Sequence, residues 1–190
     1  MKFQPQLDVV GLALSFASIL TLLYFGLTTG SFAPDYWVAF AFWFIGFFGM
    51  IYIVKRNKNL NLGSMFKIGV GTGLILICFY AVSMGASFAN PQDIWLSSKL
   101  ISFAIGVSEE LFFGIFILSA LISWFGIHPL LAIGVTSGVH AVYHVPNLGA
   151  QPVMLAVFFT SFFLARTVYV YVAPYVGVLL GAHGFWNFIV

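Results

Sequence analysis

The sequence predicts an all-α membrane helix bundle of about seven spans, a single integral domain over residues 1–190. Three observations predict it. The chain is 62% hydrophobic and only 6% charged, where a soluble domain carries about 25% charged residues. Its apolar runs are continuous over spanning length, and none shows the short apolar–polar alternation of a membrane β-barrel. In lipid every backbone amide must be bonded internally, so such runs imply helices. The net charge of +2 is too small and scattered for a nucleic-acid partner. The lone Cys78 can form no internal disulfide and matches no metal-ligand spacing.

The first span covers residues 9–27 and closes at Thr28-Thr29-Gly30-Ser31. It follows Lys2 and continues without a small-residue cleavage site, so it reads as a span rather than a signal peptide. The second, 36–54, stops at Lys55-Arg56-Asn57-Lys58, and the third, 65–86, ends before the turn-rich Ala89-Asn90-Pro91-Gln92-Asp93. Residues 94–125 are apolar for too long: a straight helix of that length would be about 48 Å, against a hydrocarbon core of roughly 30 Å. Ser97, Ser98 and Lys99 therefore mark an interfacial lead-in, with the fourth span beginning near Lys99 and broken by Gly126-Ile127-His128-Pro129. The fifth, sixth and seventh spans cover 130–145, 152–172 and 174–190. Lys55, Arg56, Lys58 and Lys67 put the second connection on the cytoplasmic side. Alternation then places Lys2 and the inner end of the sixth span, with Arg166, on that side too; Lys99 alone dissents. The expected location is the cell membrane, as a multi-pass protein.

Ionisable groups within a span are expensive to bury and are functional candidates by default. Glu109 and Glu110, the only glutamates, lie in mid-span; His140 and His144 lie in the fifth span and His183 in the seventh. The spacing of four in His140/His144 and in His183/Asn187 puts each pair on one helix face. Helical rise sets Glu109 about 15 Å below the surface where the fourth span begins, His140 about 9 Å and His144 about 3 Å from it, and His183 near mid-core. Parity thus gathers Glu, His, His and Asn into one half of the membrane. A carboxylate in a low-dielectric site suits general-base work on water near neutral pH, and a second His with an Asn amide can serve a developing oxyanion. No GxSxG motif is present and Cys78 has no polar neighbours, which disfavours a Ser or Cys nucleophile.

Ser108-Glu109-Glu110-Leu111-Phe112-Phe113, then His140-Ala141-Val142-Tyr143-His144-Val145-Pro146-Asn147, then Gly181-Ala182-His183-Gly184-Phe185-Trp186-Asn187-Phe188 resemble the CPBP family of intramembrane proteases. That family includes CAAX prenyl endopeptidases and proteins linked to bacteriocin processing and immunity. Its pattern is Glu-Glu-x-x-x-Arg, Phe-x-x-x-His and His-x-x-x-Asn on successive helices, and the resemblance covers residues 98–190. It implies that Glu109 with His144 activates water and that His183 with Asn187 forms the oxyanion site. It also implies a peptide or protein substrate reached from the bilayer surface and prenylated near its C-terminus; nothing in the residues specifies a prenyl groove. The positive-inside reading puts the site in the outer half, whereas prenyl-protein processing needs access from the cytosol.

Two positions depart from the pattern. His140 stands where the family usually has an aromatic, and packing is its simplest role. Gly114 stands at the family's arginine position, which leaves Glu110 without that partner, and an unpaired buried carboxylate is costly. Gly114 and Arg166 both lie roughly 21 to 23 Å from the outer face by helical rise. Arg166 is accordingly expected to take the arginine's place from the sixth span. The alternatives are a protonated Glu110 or loss of activity.

Other readings stay open. His140 and His144 have the spacing of a zincin, but Ala141 stands where that motif needs Glu, so the expectation is no cofactor, with zinc as the alternative through Glu109 or His183. A catalytically inactive scaffold or immunity protein of the same fold competes because of Gly114. A proton-coupled transporter also uses intramembrane Glu and His, but no repeated half is visible. His128, in a Gly-Pro turn, reads as solvated.

Overall fold

A computed structural model describes residues 3–29, 34–57, 96–145 and 151–189. Among them the fold is all-α, a membrane helix bundle with six helices. Helix α1 is Val9–Thr29 and α2 is Pro34–Asn57. Helix α3 begins as Leu96–Glu110, passes through a π-helical stretch Leu111–Ile117 and ends as Leu118–Ser123. Helices α4, α5 and α6 are Pro129–Tyr143, Pro152–Tyr171 and Val176–Ile189. Pro opens α2, α4 and α5, where its missing N–H costs nothing and its fixed φ suits the first turn. Gly126, at φ 66°, makes the turn between α3 and α4.

Four of these helices are long and apolar enough to cross a membrane: α1, α2, α3 and α5. Helix α4 has 15 residues and α6 has 14, about 21–23 Å of rise, less than the hydrocarbon core. The third span expected at 65–86 lies outside the described residues, as do Cys78, Lys58 and Lys67. The lead-in expected before Lys99 is already helical from Leu96. His144, expected inside the fifth span, instead sits just past its end as the C-cap of α4.

The packing directions set the site. Gly46 of α2 abuts the backbone of Leu111, Gly49 abuts Phe116, and Tyr52 rests edge-on to Trp124 at 5.8 Å, so α2 and α3 run the same way. Helix α6 runs against α3: Gly106 faces Asn187 and His183, and Gly114 faces Leu179. Helix α5 runs against α4, with Phe162 stacked on His140 and Phe158 packed at a tilt against His144. Small residues at these crossings let backbones approach, the usual device where lipid gives helices no hydrophobic reason to associate. Val107, Leu111, Ile115, Leu179 and Leu180 fill the centre. Leu20, Leu27, Phe48, Val139 and Val153 point outward, as lipid-facing residues should.

Asp8 fastens the opposite end. Its carbonyl accepts the first helical bond of α1 from Leu12 (3.0 Å), while its carboxylate accepts from the Gly177 N–H at the start of α6 (2.7 Å). Burial pushes the Asp8 carboxyl up from its ordinary range, against backbone N–H groups that hold it down. The charged form is therefore the less favoured one in the fold, and that cost grows as pH rises above the ordinary carboxylate range. Asp8→Ala is expected to lower stability by about 1–2 kcal/mol through loss of the cap. Asp8→Asn, which keeps the acceptor without the charge, should melt at or above wild type at neutral pH. Thermal unfolding in detergent reads both.

Candidate active site

Glu109 and Glu110 end the regular part of α3, immediately before its π-helical stretch. Such stretches recur at functional sites because the widened turn re-aims side chains. Successive residues on an α-helix point about 100° apart, yet both carboxylates are buried and both meet the same two imidazoles. His140 lies between them, with Nε2 3.3 Å from Glu109 Oε2 and Nδ1 3.6 Å from Glu110 Oε2. His183 spans them from α6, with Nδ1 3.0 Å from Glu110 Oε2 and Nε2 3.7 Å from Glu109 Oε2.

Arg166 is buried on α5 and meets Glu110 side-on: Nε donates to Oε1 at 2.9 Å and Nη2 to Oε2 at 3.1 Å. A side-on fork of this kind fixes both partners and satisfies two charges at once. Gly114 is the position that permits it, because a Cβ there would sit on Glu110 Oε1. The guanidinium also lies 5.2 Å over the Phe162 ring, donates to Ser137 Oγ at 3.4 Å, and reaches His140 Nδ1 at 2.7 Å.

That last contact assigns a tautomer. A guanidinium N–H can only donate, so His140 Nδ1 accepts and its proton sits on Nε2, aimed at Glu109. His144, at the end of α4, brings Nε2 to 3.7 Å from Glu109 Oε2. That nitrogen is buried without a hydrogen-bond partner. Asn187 lies one helical turn beyond His183 and donates from Nδ2 to the Ser102 carbonyl at 3.2 Å. Gly106 makes room for it: a Cβ at that position would lie 2.5 Å from Asn187 Nδ2 and 3.2 Å from the His183 ring.

The six candidates Glu109, Glu110, His140, His144, Arg166 and His183 thus share one cluster, with Asn187 at its edge. Sequence reasoning missed Ser137 and Phe162, and each had a signal. Ser137 is three residues before His140 and Phe162 four before Arg166, so each shares a helix face with a candidate. His128 is exposed and takes no part.

Glu109, His140 and His183 each bring a ligand-type atom within 4.8 Å of the other two, a spacing a metal ion can bridge. The tautomer argues against His140 as a ligand, since a nitrogen that carries a proton has no lone pair to give. A cleft opens between α5 and α6 onto Glu110 and His183, walled by Val157, Phe158, Leu179 and Trp186.

A family model described as type II CAAX prenyl endopeptidase, Rce1-like, matches residues 91–189. The match takes in just over half of the chain and all of α3 to α6, and it agrees with the resemblance carried by the three motifs. No curated protein and no solved structure matches the chain.

Proposed function

The chain belongs to the Rce1-like family of type II CAAX prenyl endopeptidases, membrane proteases acting on protein or peptide substrates, and we propose that it cleaves its substrate with water activated by Glu109 and His144. The observation that carries this reading is His144 Nε2, a buried nitrogen with no partner, 3.7 Å from Glu109 Oε2. That separation is too long for a direct bond and short enough for one water to touch both. The water gives a proton to Glu109 as its oxygen attacks the scissile carbonyl carbon. Glu109 then returns that proton to the departing amine, so the acid and amine products account for both halves of the water.

The oxyanion formed on the way is met by His183 and Asn187. His183 is held there by its Nδ1 contact with Glu110 Oε2, 3.0 Å away. The second N–H of the Asn187 amide completes the pair. Apolar walls leading down to Glu110 and His183 suit a hydrophobic or prenylated segment arriving sideways from the bilayer of the cell membrane.

The test uses the purified full-length protein in liposomes with a C-terminal peptide, prenylated and unmodified. The expected result is cleavage of the prenylated peptide, faster than of the unmodified one, that continues in strong chelators. Loss of cleavage on chelation would transfer the chemistry to a metal at Glu109 and the histidines. No cleavage by the wild-type protein would leave the scaffold reading in its place.

A further inference from the structure

The water mechanism leaves His140 without a step of its own, and its surroundings give it a specific job. Its ring is clamped between Phe162, at 4.0 Å and 1° from parallel, and Phe113, at 4.5 Å and 24°. Two stacked faces fix the plane of the imidazole, so its nitrogens can serve only the partners lying in that plane. Arg166 claims Nδ1 at 2.7 Å and thereby puts the proton on Nε2, 3.3 Å from Glu109 Oε2.

We propose that His140 is a positioning residue of the hydrolysis: a donor of fixed tautomer, set by Arg166, that holds the Glu109 carboxylate in the orientation needed to take a proton from water. The inference rests on the role proposed for Glu109. It also joins the two unusual positions of the chain. Arg166 reaches the cluster from α5, next to His140 on α4, and from there one guanidinium anchors Glu110 by its fork and Glu109 through the imidazole. A carboxylate held from one side loses rotational freedom before the reaction begins, and that preorganisation acts on turnover rather than on substrate affinity.

The test has two arms. In the protein labelled with 15N-histidine, the His140 signal is expected to show a bare Nδ1 and a protonated Nε2; the reverse tautomer overturns the proposal. In peptide cleavage, His140→Phe keeps the stacking and removes the donor. It is expected to lower kcat at least about tenfold, the effect of one hydrogen bond to a charged group, with KM unchanged and a modest fall in melting temperature, because Arg166 also loses its Nδ1 acceptor. His140→Gln places an amide N–H where Nε2 stood and is expected to recover most of the loss. His140→Asn, too short to reach Glu109, should not. A His140→Phe protein with wild-type kcat, while Glu109→Gln is inactive, overturns this inference alone. An inactive wild-type protein overturns the role of Glu109 and this one with it.

Discussion

Glu109→Gln is expected to lower kcat for peptide cleavage by about 10²–10⁴-fold, the range of a lost general base, while leaving the fold intact. Glutamine has nearly the shape of glutamate and keeps an oxygen to accept the His140 Nε2–H that now ends 3.3 Å away. What it cannot do is take a proton from water. The neighbouring carboxylate gives the contrast. Glu110 accepts two N–H groups of Arg166 and one of His183, so removing its charge strands a buried guanidinium and damages the fold as well as the chemistry. Cleavage and melting temperature measured together separate the two. Glu109→Gln should lose activity alone, and Glu110→Gln should lose both. A Glu109→Gln protein that still cleaves at the wild-type rate removes Glu109 as base.

Much of this site was legible in the sequence because helices convert spacing into depth and face. Lipid makes each charged residue conspicuous, so Glu109 and Glu110 stood out without any structure. Helical rise alone matched Arg166 to the level of Gly114. Periodicity does not say which helices are neighbours, and the contact of α3 with α6 depends on Gly106 and Gly184, whose absent side chains let Asn187, Val107 and Phe103 come close. The π-helical stretch was not legible either: it lies where Gly46 and Gly49 bring α2 onto the backbone and rings of residues 111–116, a tertiary cause with no local signal. The end of α4 was not legible: the helix stops at Tyr143 and leaves His144 at the cap, with its Nε2 3.7 Å from Glu109 Oε2. The sequence suggests packing for His140, and it does pack, between two phenylalanines. Its polar contacts depended on knowing that Arg166 and Glu109 flank it.

Arg166→Leu is expected to cost about 3–5 kcal/mol of stability, the usual result of removing one partner from a buried ion pair. Glu110 would then keep its bond to His183 and lose both N–H donors of the guanidinium. Gly114→Arg alone should also destabilise, because a Cβ at that position occupies the place of Glu110 Oε1 while Arg166 holds the carboxylate there. Together the two changes should do less harm than either one. With Arg166 gone the carboxylate is free to swing away from position 114, and an arginine four residues further along α3 can pair with it on the same helix face. The double-mutant cycle therefore predicts opposition between the two sites, with much of the lost stability returned in the combined variant. Such recovery, seen in melting temperature and accompanied by renewed cleavage, means that the arginine has changed helix without changing its function. Additive damage would instead show that Glu110 needs the α5 arginine in particular, for instance because Arg166 also bonds His140 and Ser137, and that Gly114 is required for more than space.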